Sequence, residues 1–309
     1  MWWLTQIEVF YRMDFGRLPN EELNNIPFAL PQEPQQPNFF FNPSAKSSIR
    51  LGSTSWGKKD WVGSAYPPHA RQKDFLHYYS QVCKAIEFNT TYYQIPSIDQ
   101  IKNWKEQVVD GFHFCPKLTG QITHMRRLKN SKDILNRFID AVVHFENNLG
   151  PILIVLHPGM GPSPLATVDE FLQQIPEDLQ VALEFRHPDW FLPENFNRLT
   201  DVLQKHKAGF VITDTAGRRD CLHLQLTTTF CFIRFAGYSL DPSDFFRLAQ
   251  WAEKIKTWQE KGLENVYFFI HQPEDVFVKE SLSAFSDRLT SLGVTGIPNF
   301  NAYKKQLLF

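Results

Sequence analysis

The chain has 309 residues, 43% of them hydrophobic and 15% aromatic with 28 Phe, enough apolar material for one large α/β domain or two small ones. Lys and Arg number 32 against 33 Asp and Glu, so no global field draws the protein toward nucleic acid or an anionic membrane, although local patches can. No apolar run approaches the roughly 18 residues of a membrane span. The cysteines Cys83, Cys115, Cys221 and Cys231 have neither CxxC nor zinc spacing, and read as reduced, mostly buried thiols of a cytoplasmic protein.

The opening "MWWLTQIEVFYRMDFGRLP" is too interrupted for a secretory signal, because Glu8 and Arg12 bracket only a few apolar residues. Met13 offers a second start, and residues 1–12 are expected to be an over-long beginning. Pro, Gln and Asn dominate 19–47, which reads as an extended arm. The expected division is therefore an N-terminal arm over 1–47 and one domain over 48–309. Within that domain, short apolar runs recur at 49–54, 85–91, 112–117, 151–157, 181–187, 209–214, 230–236 and 265–271. Helical spacing separates most of them, at 71–84, 98–109, 131–148, 167–175, 194–207, 242–261 and 276–291, with a weaker stretch at 217–229. Strand runs alternating with helices predict an α/β fold with a parallel sheet and right-handed crossovers. Neither GxGxxG nor GxxxxGK[ST] follows the first run, which removes the usual reason for a nucleotide-binding open sheet. A single (β/α)8 TIM-barrel-like domain is expected, with a doubly wound open sheet as its rival.

Barrel strands send alternate side chains inward, and the active site lies at their carboxyl ends. That rule directs Glu87 and Asn89 inward from the second run, Lys117 from the third, and His157 from the fourth. Glu184 and Arg186 follow from the fifth, Asp214 from the sixth, Arg234 from the seventh and His271 from the eighth. "VALEFRHPDW" (181–190) shows the pattern best, with two opposite charges on one face of an otherwise apolar strand. Such charges serve either a site or a buried packing network, and a network contributes little net stability because desolvation offsets attraction.

Several separated motifs resemble the YecE-like family, domain of unknown function 72. They are "GSTSWGKKDWVGSAYP" (52–67), "EFNTTYYQIPS" (87–97), "FHFCPKLTGQITH" (112–124), "LEFRHPDW" (183–190) and "FIRFAGY" (232–238), with Asp214 between the last two. The resemblance runs from about Leu51 to about Gln272 and implies a TIM-barrel-like fold. It implies no reaction, because the family's activity is unsettled. Three departures stand out: Ala236 where the family has His, "LHPGMGP" in place of Gln-x-Pro-Pro, and His271 with Gln272 in place of Asn residues.

Glu184, Glu87 and Asp214 are the candidate catalytic groups, since a charged cluster can separate carboxyl pKa values so that one donates and another accepts. Lys117, Arg186 and Arg234 suit a carboxylate or phosphate. Asn89, Trp56, Tyr92, His157 and His271 complete the expected substrate-binding set. Lys117 is alternatively a Schiff-base nucleophile, but three acids against two arginines favour anion binding. The cofactor is left open; a divalent metal is possible but not favoured, because no HxH or HExxH spacing occurs and three cations share the mouth. Trp56, Trp61 and Tyr66 form either a stacking platform or a lid packed on its own aromatics. The basic run "THMRRLKNSK" (123–132) reads first as a solvated face. The leading expectation is an enzyme acting on a small anionic substrate, its reaction class open. The alternative is a non-catalytic binding protein for a phosphorylated ligand or single-stranded nucleic acid.

Overall fold

Every one of the eight apolar runs becomes strand, and all the strand pairings are parallel. The computed structural model describes residues 15–34, 41–42, 44, 47–274, 276–297 and 300. Its strands are β1 (Ser48–Ser53), β2 (Ala85–Phe88), β3 (His113–Pro116), β4 (Ile152–Val155), β5 (Val181–Glu184), β6 (Gly209–Phe210), β7 (Ile212–Asp214), β8 (Phe230–Ala236) and β9 (Asn265–His271). The α-helices are α1 (Phe75–Val82), α2 (Thr90–Tyr93), α3 (Ile98–Glu106), α4 (Lys132–Val142), α5 (Leu165–Leu172), α6 (Pro193–Lys205), α7 (Pro242–Lys261) and α8 (Phe277–Ser291). Local chemistry sets several ends. Ser97 and Gln100 form a reciprocal capping box at the start of α3. Asp241 caps α7, which stops at Gly262 in the left-handed conformation (φ 96°).

Six strands run in the order β3-β2-β1-β9-β8-β7 and three in the order β4-β5-β6. Single parallel bridges, Phe114 to Leu149 and Lys117 to Leu153, relate β3 to the β4 segment. Only Val211 separates β6 from β7. The sixth run was expected to be one strand; it breaks because the Phe210 amide donates to Thr227 Oγ1 (2.9 Å) instead of to a strand carbonyl. The result is an α/β fold built on parallel sheet.

The two sheet faces differ in what they bury. One face carries Ala85, Cys115, Leu153, Val155, Ala182, Val211, Phe230, Phe232, Tyr267 and Phe269, a separate apolar cluster drawn from strands all along the fold. The opposite face, with Ile86, Phe88, Leu183, Phe210, Ile212 and Ile233, merges into the large core shared with the helices. Strands approach closely on the first face. A Cβ on Gly52 would collide with the Ala85 carbonyl and lie 3.1 Å from the Phe269 ring, so β1 needs glycine there.

This parity moves one expected site residue. Asp214 lies on the face of Phe210 and Ile212, which is the helix face, and Thr213 takes the face of Val211. Fully buried, Asp214 accepts from Arg247 Nη1 (3.0 Å), from Trp251 Nε1 (2.7 Å) and from Arg219 Nη1. It anchors α7 to β7 and does not share the face of Glu87, Glu184 and Arg234. Removing one partner of such a buried pair leaves the others charged without compensation. Asp214→Asn is expected to destabilise the protein by about 3–5 kcal/mol, read from urea unfolding midpoints; a loss under about 1 kcal/mol contradicts the anchoring role.

Candidate active site

Counting onward in steps of two from the dry face cluster leads on six strands to a charged residue or a histidine at the carboxyl end. Ala85 leads to Glu87, Cys115 to Lys117, Val155 to His157, Ala182 to Glu184 and Arg186, Phe232 to Arg234, and Phe269 to His271. Arg234 is 2% exposed, and Glu87 and Glu184 are fully buried. The Arg234 guanidinium grips Glu87 side-on, Nε to Oε2 at 2.8 Å and Nη2 to Oε1 at 2.9 Å. Its remaining nitrogen, Nη1, donates to Glu184 Oε2. Glu184 Oε1 accepts from Arg186 Nε at 2.7 Å, and His271 Nε2 lies 3.0 Å from Glu87 Oε2. One chain of contacts thus runs from His271 through Glu87, Arg234 and Glu184 to Arg186. Asn89 Nδ2 donates to Glu87 Oε1 at 3.3 Å, while its own Oδ1 is buried with no partner among the described residues.

Beside this chain is a second group. Lys117 Nζ sits 4.5 Å from the centre of the Tyr92 ring. Tyr92 meets His124 edge-on at 5.5 Å, and His124 meets His157 at the same centroid distance. His124 was not among the expected site residues. It rides on a five-residue π-helical turn (Gln121–Met125), and Arg127, Leu128 and Asn130 follow with positive φ. Both features are uncommon and concentrate at functional sites. The "QITH" motif carried the only signal for it.

The arm contributes here as well. Gly16 O accepts from Gly217 N (2.8 Å), Tyr238 Oη (2.9 Å) and Thr215 Oγ1 (3.1 Å), and Leu18 N donates to Tyr238 Oη (2.6 Å). Gly16 has φ 76°, and a Cβ there would lie 2.5 Å from Thr215 Cγ2. This anchor lays the Phe15 ring against two guanidiniums, 4.9 Å from Arg186 and 4.7 Å from Arg218. No strand occurs among the described arm residues before β1, and the expectation on residues 1–12 lies outside the described residues.

Trp56 does not join the site. Its ring stacks on Phe88 (5.7 Å) and meets Trp104 (6.4 Å), on the helix side of β2, away from Glu87. Trp61 and Tyr66 are fully buried against each other and against Tyr79 and Phe75 of α1, so neither ring presents a stacking face. Among the described residues no three His, Cys, Asp or Glu side chains group as metal ligands. No helix among them is long and apolar enough to cross a membrane.

The carboxyl pair does not split as expected. Burial alone would raise both, but at Glu87 the charges of Arg234 and His271 outweigh it and hold the carboxyl well below its usual range. At Glu184, Arg186 and Arg234 do the same and bring it to about 2. Neither carboxyl is held protonated, so neither is placed to act as an acid near neutrality. The imidazoles move down too. Burial holds His113, His124 and His223 near 4 instead of 6.5, helped at His124 by Lys117 and Arg186. A histidine depressed on folding takes up its proton first in the unfolded chain, so stability falls as pH drops from 6.5 toward 4. Glu184 contributes stability that is complete above 4.5 and lost as pH falls toward 2, and Glu87, also depressed, loses its share as pH falls below 4.5. Urea midpoints are therefore expected to decline continuously from neutral pH downward; a flat profile between 6.5 and 4.5 contradicts the burial of these imidazoles.

The profile of the family described as "Protein of unknown function DUF72" matches residues 50–296. The chain is 28% identical to the UPF0759 protein YecE of Escherichia coli K12 over 246 residues, 73% of this chain and 87% of that protein. It is 26% identical to the UPF0759 protein YunF of Bacillus subtilis over 165 residues, 50% of this chain and 57% of that one. A crystal structure of a DUF72 family protein from Enterococcus faecalis superposes with a TM-score of 0.64 at 17% identity, covering 79% of this chain and 96% of its own. Another, from Thermotoga maritima, gives 0.58 at 21% identity, with coverage of 84% and 99%. These structures speak to the fold alone. With the profile reaching from inside β1 to beyond α8, the chain belongs to the DUF72 family.

Proposed function

We propose that the strands close into an eight-stranded TIM-barrel-like ring, with β6 and β7 as one interrupted strand, and that its carboxyl-end mouth is the active site of an enzyme. Its substrate is a small molecule bearing a phosphate or carboxylate. The bridges between β3 and the β4 segment, and the reach of Arg234 from one sheet to Glu184 in the other, support the closed arrangement.

One observation carries the substrate class. Both buried carboxylates are already engaged by guanidiniums, while Lys117 Nζ and the Arg186 Nη1 and Nη2 atoms have no carboxylate partner among the described residues. Among the described residues the mouth therefore has cationic ends to offer and no spare anionic one. Arg127 adds a further positive field at His157. Such a site attracts an anion and opposes a metal ion. Arg186 holds the anionic end, Lys117 lies beside it, and His124, neutral near physiological pH, receives or returns a proton. Glu87 and Glu184 keep the cations in position and transfer no proton. Asp214, which serves the helix layer, takes no part.

The rival reading, a non-catalytic binding protein, shares the anion site but lacks a stacking platform, since Trp61 and Tyr66 are sealed. Inorganic phosphate and oxalate are the probes. In the wild type each is expected to raise the melting temperature in proportion to log concentration above its Kd. Arg186→Gln removes a charge-assisted contact of about 1.5–3 kcal/mol, so affinity should fall roughly ten- to a hundredfold. Wild-type protein that no anion stabilises, or a variant that binds equally well, contradicts the assignment.

A further inference from the structure

The surroundings of Lys117 differ from those of a lysine that only holds charge. With Asp214 on the far face, two carboxylates remain near it instead of three, and Arg234 and Arg186 already neutralise both. No carboxylate approaches Lys117 Nζ within 4 Å among the described residues. The Tyr92 ring covers one side of the ammonium, and the apolar face cluster ending in Cys115 lies beneath it. His124 meets that same Tyr92 ring edge-on and feels the charge of the ammonium, which in turn feels those of Arg234 and Arg186. A lysine so placed is confined and uncompensated, at the end of a strand, with an anion-binding fork near it.

We infer that Lys117 is a covalent nucleophile, and that the substrate is an anionic carbonyl compound, a 2-oxo acid or a phosphorylated aldehyde or ketone, which it captures as an imine. This rests on the anion-binding reading of the same mouth. The neutral amine adds its lone pair to the carbonyl carbon, forming the C–N bond as the carbonyl π pair moves to oxygen. That oxygen takes up a proton and the nitrogen loses one, giving a carbinolamine. A second protonation of the oxygen lets it leave as water while the nitrogen lone pair forms the C=N bond, and the iminium so formed gives back one proton from its nitrogen to leave the imine. Amine plus carbonyl yields imine plus water, and no oxidant or metal is required. His124 Nε2 makes no hydrogen bond among the described residues, its Nδ1 being 2.9 Å from Thr123 Oγ1, so it is free to carry these protons.

The physical state of the amine agrees. Burial first, then the charge of Arg234, brings the ammonium down from 10.5 to about 8, against the opposing pull of Glu87. At pH 8 the neutral fraction then exceeds that of an exposed lysine by roughly a hundredfold.

The experiment is reductive trapping on the full chain. Protein is incubated with sodium cyanoborohydride and glyoxylate, pyruvate or glyceraldehyde 3-phosphate, with formaldehyde as an uncharged carbonyl, and the modified lysines are mapped by mass spectrometry. Trapping at Lys117 is expected to exceed that at exposed lysines such as Lys207 by roughly a hundredfold at pH 8, with half-maximal rate near pH 8. Lys117→Arg should abolish the adduct while keeping the charge, and its circular dichroism should match the wild type. Arg186→Gln should slow trapping of the anionic carbonyls and spare that of formaldehyde. Phosphate binding that persists with no Lys117 adduct from any probe overturns the nucleophile and leaves the anion site standing. Lys117 trapped by formaldehyde, with no preference for the anionic probes and no phosphate binding, overturns the substrate class instead. Modification spread over surface lysines with Lys117 unlabelled overturns the inference outright.

Discussion

The guanidinium of Arg234 is the constraint on which the rest of this site depends. A guanidinium 2% exposed at the end of an apolar strand has lost its water, and it persists only where carboxylates replace that water. Glu87 and Glu184 do so from β2 and β5, strands of different sheets, so the same three side chains fix the relative position of those strand ends. Meeting this demand uses up the acids. The groups around the pair, Lys117 and the outer nitrogens of Arg186, have no carboxylate of their own among the described residues. The chemistry available to the mouth follows from what Arg234 takes out of play.

The layers beside and below fit that arrangement. Beneath the ion layer, Cys115, Ala182, Phe232 and Phe269 exclude water, which strengthens every electrostatic contact above them. Beside it, His124 and His157 meet edge-on, and Phe15 rests on Arg186 and Arg218. The second charged network, Asp214 with Arg247, Arg219 and Trp251, lies on the helix face and repeats the pairing logic.

Much of this was legible in the sequence because period-two alternation is a local property. Ala85 to Glu87, Phe232 to Arg234 and Ala182 to Glu184 each follow from a strand of four residues or more with one dry face. The same rule failed at the sixth run. Phe210, Ile212 and Asp214 do share a face, but which face points to the helices is set by the neighbouring strands and by Thr227, which captures the Phe210 amide. Short, interrupted strands carry weak register information. Trp56 was misplaced for a related reason, since an aromatic in a loop goes to whichever apolar surface is nearest, here Phe88 and Trp104. Phe15 lay beyond sequence reading altogether. Its place depends on Gly16 meeting Gly217, Thr215 and Tyr238, contacts about two hundred residues away in the chain. The sign of the carboxyl shifts was hidden too, because it depends on how many arginines each acid meets.

The central claim is that the acids are committed and the cations are open, and a crystal structure grown with inorganic phosphate tests it most directly. The account predicts phosphate oxygens within hydrogen-bond distance of Lys117 Nζ and the Arg186 Nη atoms, with Glu87 and Glu184 still on Arg234. A divalent cation bound between Glu87 and Glu184 in crystals grown with both ions, or phosphate bound only away from Lys117 and Arg186, would contradict it.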